Sequence, residues 1–394
     1  MTDQSAAPTS LGATARVRAI DSFYVMEVLA RAKALEAAGR DIIHMELGEP
    51  DFDTPAPILE AGQQALAAGR TRYTPATGVM ALREAIAGYY QRRYGLHVGP
   101  ERILITTGSS GALLLAIGTV VGPGDEVLLA DPGYPCNRHF VRFVEGRAVG
   151  VPVAADTAYQ LTAAHVREHA TPATRGVLVA TPSNPTGTTL SGAELAAIHH
   201  ETWQRDIHLL VDEIYQGLVY DGEDFTALSL GEDLLVINSF SKYFGMTGWR
   251  LGWLVAPEYL VPELDRLAQN LFISAPTISQ YAALAAFEPA TLEILDARRD
   301  AFRERRDFLV PALRDLGFGI PVEPTGAFYV YADCSPFTDD SYAFCFDLLE
   351  RTGVAVTPGR DFGAHGAARH VRFSYTTSLA RLEEGVERLA GYLS

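Results

Sequence analysis

The chain has 394 residues, room for two or three domains, and its 48% hydrophobic and 10% aromatic content marks it as globular rather than disordered. Acids outnumber bases by 48 to 32, a formal net charge of −16, which argues against nucleic acid as the main partner because phosphate binding needs a basic face. The longest apolar run, ALLLAIGTVVG, is too short to span a bilayer, and three scattered cysteines (Cys136, Cys334, Cys345) make no disulfide framework, so a reduced, cytoplasmic setting is expected.

The first dozen residues are small and polar and read as a loose tail, with no apolar segment of a secretory signal. A helix is expected around residues 23–38. From about Asp53 to Val255, short apolar runs alternate with helical patterns. RILITTG, EVLLADPG, VLVATPS, IHLLVDEIY and LLVINSF are rich in Val, Ile and Leu, and stretches such as SGAELAAIHHETWQRD separate several of them. Near-continuous apolar strands between helices predict an α/β fold with a mostly parallel, buried sheet. After about Glu288 a long charged helix, LEILDARRDAFRERRDFLVPALRDLG, precedes the shorter strands GAFYVYADC and HVRFSY and a terminal helix, which reads as a smaller α+β domain. The expected division is 1–48 as an N-terminal segment whose helix packs on the small domain, 49–287 as the large domain, and 288–394 as the small one.

Ligands of open parallel sheets bind beyond the carboxyl ends of the strands, so the residues just after each run carry the interest. Gly108, Ser109, Ser110 and Gly111 follow RILIT and lead into a helix, an arrangement that suits a phosphate or simply makes a tight connection. Tyr134 follows EVLLA and is either a turn tyrosine or an aromatic plate for a flat ring. Asn184 follows VLVAT in PSNPTG, where turn chemistry alone explains the composition. Asp212 ends IHLLV, and a buried acid there needs a cation or several donors. Lys242 follows LLVINSF. From Leu234 to Pro257 the only charged side chains are Lys242 and Arg250. No acid stands beside the lysine to stabilise its ammonium form, and neighbouring cations in a dry pocket favour the neutral amine.

A phosphate cradle, an aromatic plate, an amide donor, a carboxylate and a lysine together match pyridoxal 5′-phosphate, whose aldehyde condenses with a lysine amine and whose ring nitrogen takes a carboxylate partner. Arg250, eight residues after Lys242, is a fixed cation suited to the phosphate.

From MELGEPDFDTP to HVRFSYTTSLARLEEGVERL the chain resembles the class I/II aminotransferases of fold type I, most specifically in SKYFGMTGWRLGW, with SNPTG and DEIY upstream at family-like spacing. The resemblance implies a transaminase that moves an amino group from an L-amino acid to a 2-oxo acid such as pyruvate or 2-oxoglutarate. It implies Lys242 as the cofactor-bonding lysine, Asp212 as the partner of the pyridine nitrogen, and Tyr215 and Asn184 as donors to the cofactor's phenolic oxygen. Tyr134 matches the aromatic stacked on the ring. Ser109, Ser110, Ser239 and Arg250 match phosphate-binding positions, and Tyr73 matches a tyrosine that reaches the neighbouring subunit's phosphate in a homodimer with shared sites. Arg372 matches the arginine that clamps the substrate α-carboxylate, which Gly48 also approaches.

Other fold type I chemistry, such as a C–S β-lyase, starts from the same residues. A more distant alternative is a zinc hydrolase, because His165 to His169 spells HVREH, an H-x-x-E-H pattern in a predicted helix. The segment LAQNLFISAPTISQ, which corresponds to the stretch holding a distal-carboxylate arginine in aspartate-specific relatives, contains no arginine or lysine. A buried dicarboxylate without a partner cation would face a large desolvation cost. A neutral donor side chain is therefore expected, with Phe23 and Tyr24 as an apolar lid.

Overall fold

The computed structural model describes residues 12–393. All but the last residue of the tail expected over the first dozen lies outside that range. In chain order the strands are β1 (Ile43–His44), β2 (Ile103–Thr106), β3 (Glu126–Asp131), β4 (Arg147–Pro152), β5 (Thr174–Ala180), β6 (His208–Asp212), β7 (Leu235–Ser239), β8 (Gly252–Val255), β9 (Tyr329–Asp333), β10 (Val354–Ala355), β11 (Thr357–Pro358) and β12 (His370–Ser374). Seven of them form the central sheet in the order β2-β8-β7-β6-β5-β3-β4. Neighbours from β7 through β4 pair in parallel, and β8 runs antiparallel to both β7 and β2. The five apolar runs picked out in the sequence are β2, β3, β5, β6 and β7.

These runs lack alternation because helices cover the sheet. Val177, Leu178, Val179, Leu209, Leu210, Val211, Leu235, Val236 and Ile237 are all buried. Helix Gly108–Val120 packs across β7 and β8, and helix Gly192–Trp203 packs on β6. Fully burying one such side chain contributes roughly 1.5–3 kcal/mol, so the three middle strands alone account for a large share of the folding drive.

The connectivity brings the chemistry to one edge. Parallel strands β3, β5, β6 and β7 all end there, at Asp131, Ala180, Asp212 and Ser239. The reversed strand β8 begins at that same edge, since Gly252 lies opposite both Ser239 of β7 and Thr106 of β2. Arg250, two residues before β8, is thereby returned to the strand ends.

Strands β11, β12 and β9 form an antiparallel sheet in that order, and β1 pairs in parallel with β10. Helix Tyr24–Ala37 lies against β11 and helix Ser341–Thr352. No residue of its own sequence caps it. Its first N–H groups, of Tyr24 and Val25, donate instead to the buried Asp361 carboxylate at 2.7 and 2.8 Å. A carboxylate at a helix N-terminus satisfies two orphan donors and complements the dipole. Asp361→Ala is expected to lower the unfolding free energy by about 1 kcal/mol, the scale of one lost cap, and to make the chain before Tyr24 more sensitive to proteolysis. Chemical denaturation and timed digestion check both; an unchanged midpoint and cleavage rate would contradict the cap.

Candidate active site

Lys242 stands three residues beyond β7, half-buried, and its Nζ donates to the carbonyl of Gly48 at 2.6 Å. Burial lowers its pKa to about 8, with Arg372 and Arg250 adding to the effect and Glu49 opposing it. Asp212, at the end of β6, is buried, and its Oδ1 accepts the Ile214 N–H at 3.2 Å. Burial raises its pKa to about 7 against that hydrogen bond and the Lys242 charge. Both groups are thus poised near neutrality, where a proton carrier works best.

Gly48 has no room for a side chain. A Cβ there would lie 1.9 Å from the Tyr329 hydroxyl. That hydroxyl meets the Tyr215 hydroxyl at 2.8 Å, both tyrosines being buried. The guanidinium of Arg372 lies 4.3 Å from the centroid of the Tyr329 ring and 4.9 Å from that of Phe362. Arg372 Nη1 donates to Asn184 Oδ1 at 2.9 Å and Nη2 donates to Thr357 Oγ1 at 3.1 Å and to the Glu46 carbonyl, while Nε is buried without a partner. Among the described residues no carboxylate pairs with Arg372. A buried guanidinium held by neutral oxygens and two rings is a preformed seat for a planar carboxylate.

At the other end of the site, Gly108 opens helix Gly108–Val120 with φ +66°, a conformation that favours glycine, and no side chain caps that helix. A Cβ on Gly108 would come 2.7 Å from Arg250 Nη2. Arg250 donates Nη1 to the Thr247 carbonyl at 3.0 Å and pairs with no acid among the described residues. Ser109 is half-buried beside it and Ser110 is exposed. An uncapped helix N-terminus facing an unpaired guanidinium is an anion site. Tyr134, half-buried, lies just after β3. Ser239 is buried with its hydroxyl engaged in its own turn, accepting from the Ser241 N–H at 3.0 Å. Tyr73 is 82% exposed.

Tyr329, Phe362 and Thr357, which frame Arg372, carry no local signal in the sequence. One signal was available for Lys242. The chain has only two lysines, Lys33 and Lys242, among its 32 basic residues. Where arginine supplies nearly every structural cation, a lysine kept in an apolar segment marks a need for a titratable amine. The histidine pattern has a structural role. Both histidines lie in helix Ala163–His169, where His165 Nδ1 accepts the Thr162 N–H at 3.2 Å and Thr162 accepts the His165 N–H in return, closing a capping box. Among the described residues no cluster of three or more His, Cys, Asp or Glu could hold a metal ion, and no helix is long and apolar enough to cross a membrane.

The donor set fits a phosphorylated pyridine aldehyde: an acid-free anion cradle at Gly108 and Arg250, a buried carboxylate at Asp212, and an amine with a depressed pKa at Lys242. Residues 40–389 match the family described as Aminotransferase class I and II. The chain is 41% identical to a valine–pyruvate aminotransferase of Mycobacterium tuberculosis over 95% of its length and 97% of the relative's. It is 38% identical to an aspartate/prephenate aminotransferase of Thermus thermophilus, over 97% and 99% of the two chains. A crystal structure of an aminotransferase from Mycobacterium tuberculosis superposes with a TM-score of 0.94 at 40% identity, covering 98% of this chain and 99% of that one.

The depressed pKa of Lys242 has a direct readout. Below about pH 8 its amine is protonated and unreactive, and above it is free. In cofactor-free protein, amine-selective labelling of Lys242 should rise with a midpoint of about 8, with the exposed Lys33 as an internal comparison. Site-resolved mass spectrometry checks this. A Lys242 midpoint no lower than that of Lys33 would contradict it.

Proposed function

The chain belongs to the class I and II aminotransferases, enzymes that move an amino group from an amino acid to a 2-oxo acid, and on that premise we propose how its residues divide the work. The family uses pyridoxal 5′-phosphate, which when bound supplies an electron sink for the bonds of the substrate α-carbon. We assign Lys242 to bond its aldehyde and the cradle of Gly108, Ser109, Ser110, Ser239 and Arg250 to hold its phosphate. Asp212 holds the proton on the ring nitrogen, which burial beside that cation makes favourable. Tyr215 and Asn184 donate toward the phenolic oxygen, and Tyr134 supplies the stacking ring. Arg372 binds the substrate α-carboxylate, and Lys242 Nζ, near neutral, takes and returns the α-proton. The single observation that carries this reading is the half-buried lysine whose amine bonds only the Gly48 carbonyl, at a sheet edge it shares with a buried acid and two arginines that pair with no acid among the described residues.

On the substrate side, the reading of a neutral donor rests on residues 267–280, which hold no arginine or lysine. The side chains that stand out of that stretch are apolar: Leu271 and Ile273 are both exposed. Tyr73, Leu271 and Ile273 also support a homodimer in which Tyr73 serves the neighbouring site. Residues 1–48, 49–287 and 288–394 are read as the N-terminal segment, large domain and small domain.

Half-reactions test the donor reading. With the cofactor loaded, alanine, valine or phenylalanine should convert its absorption to that of the aminated form with a higher kcat/KM than aspartate. Aspartate ahead by about tenfold would contradict a neutral side-chain site, since tenfold is only about 1.4 kcal/mol of differential binding. Lys242→Ala should leave the fold intact and abolish the conversion, and Asp212→Asn should slow it about 100-fold. Sharing of sites is tested by mixing Tyr73→Ala and Lys242→Ala subunits, each inactive alone. Recovered activity after exchange is expected, and a fully active monomer would rule it out.

A further inference from the structure

Strand β1 and the residues that follow it to Gly48 carry a charged cluster on one face. Side chains alternate along an extended chain. Ile43 and Met45 face helix Leu379–Leu393, where a Cβ on Gly385 would come 2.7 Å from Met45 and 3.4 Å from Ile43. His44 and Glu46 lie on the other face. Glu46 is fully buried; its Oε1 lies 2.7 Å from His44 Nδ1, and its Oε2 has no hydrogen-bond partner among the described residues. His44 Nε2 lies 3.1 Å from Oε1 of the exposed Glu36, in the last turn of helix Tyr24–Ala37. A ring whose two nitrogens both face carboxylate oxygens donates from both, and is an imidazolium. The Glu46 bond pushes its pKa up to about 9 against the effect of burial, with Glu36 adding to the rise. A buried carboxylate without a cation faces a large desolvation cost, and His44 supplies that cation.

The charges on the elements packed around the cluster are otherwise engaged. Strand β10 beside β1 consists of Val354 and Ala355. Arg381 and Arg388 of helix Leu379–Leu393 pair with Asp41 and Glu384, and Arg31 and Arg40 pair with Glu350. The main chain of Glu46, meanwhile, orients the carboxylate seat. Its carbonyl accepts Arg372 Nη2 and, at 2.9 Å, the hydroxyl of Thr357, which itself accepts Arg372 Nη2 at 3.1 Å. The chain is pinned on either side by other bonds. The Met45 N–H donates to the Ala355 carbonyl at 2.9 Å, and the Leu47 carbonyl accepts the Thr376 hydroxyl at 3.1 Å. Between those pins the position of the Glu46 carbonyl follows the placement of its side chain.

We infer that His44 and Glu46 are positioning residues for the substrate α-carboxylate: their ion pair fixes the residue whose carbonyl orients Arg372. The inference rests on the transaminase reading. Loss of the imidazolium proton leaves the Glu46 carboxylate buried without a cation, and residue 46 relaxes together with the guanidinium it holds. The support is complete below the ordinary histidine value of 6.5 and is lost as pH rises through about 9. The seat holds the carboxylate alike in the bound substrate and through the reaction, so its loosening acts on KM and spares kcat. Gly48, beyond the pin at Leu47, keeps its contact with Lys242.

The test uses the cofactor-loaded enzyme with valine as donor and 3-methylbutanoate, which has the same side chain and carboxylate but no amine, as a binding probe. His44→Gln and Glu46→Gln should each raise the KM for valine and weaken probe binding by about tenfold, the scale of one charge-assisted bond, with kcat changed less than about twofold. The double variant His44→Gln/Glu46→Gln, neutral at both positions, should recover most of that loss. In the wild type, probe affinity should fall as pH rises through about 9, and the double variant should lack this step. Full cofactor loading reports that a variant has folded; should Glu46→Gln fail to load, His44→Gln and the wild-type pH profile decide. Unchanged KM and probe affinity in His44→Gln, a loss confined to kcat, or an alkaline step that the double variant keeps overturns the positioning role while leaving the transaminase intact. A wild type that transfers no amino group from any donor overturns the transaminase reading and the role with it.

Discussion

The site depends on keeping an amine out of water with no carboxylate bonded to it, so that burial outweighs the pull of Glu49 and Asp212 on its proton. Lys242 has only a neutral carbonyl, that of Gly48, as its hydrogen-bond acceptor. The charged groups around it include two arginines that disfavour a further positive charge. Much of the local architecture serves that condition. Gly48 carries no side chain because Tyr329 fills the space, and Tyr329 is placed by its contacts with Tyr215 and Arg372. A larger residue at position 48 would displace the tyrosine, and with it the support of both the amine and the carboxylate seat. Geometry at one backbone carbonyl is thus coupled to two binding functions.

The sheet supplies the second condition, which is convergence. A parallel sheet ends its strands at one edge, and the single reversed strand brings Arg250 back to that edge. Residues far apart in the chain, at positions 108, 134, 184, 212, 242 and 250, are gathered without long loops. The groups drawn from other elements, Arg372 on β12 and Gly48 after β1, meet them from the other sheets of the chain. Burial raises the acid and lowers the base, and this convergence is what makes both shifts occur together.

Much of this was legible in the sequence because it is local. A strand buried on both faces reads as a run of Val, Ile and Leu, so β5, β6 and β7 stood out together with the polar residue that ends each. The strand β4 did not, because RAVGVP lies at the sheet edge and has little continuous apolar content. Short β8 was hidden inside the glycine- and aromatic-rich signature. Tyr329 could not be singled out, since it acquires meaning only from partners such as Tyr215, more than a hundred residues away in the chain. The capping of helix Tyr24–Ala37 by Asp361 is a similar case: the acceptor comes from a distant loop, and the local sequence shows only an uncapped start. The arginine-dominated basic composition, by contrast, is visible in the sequence alone, where Lys242 is one of only two lysines.

The most direct measurement of the central claim is chemical capture at the lysine. The protein is loaded with pyridoxal 5′-phosphate, reduced with borohydride to make the linkage permanent, digested and mapped by mass spectrometry. With only two lysines in the chain, the outcome is unambiguous. The expected result is a stoichiometric adduct on Lys242, blocked when Lys242 is replaced by alanine. An adduct on Lys33 alone, or none on either lysine, would contradict the assignment of Lys242 as the cofactor-bonding amine.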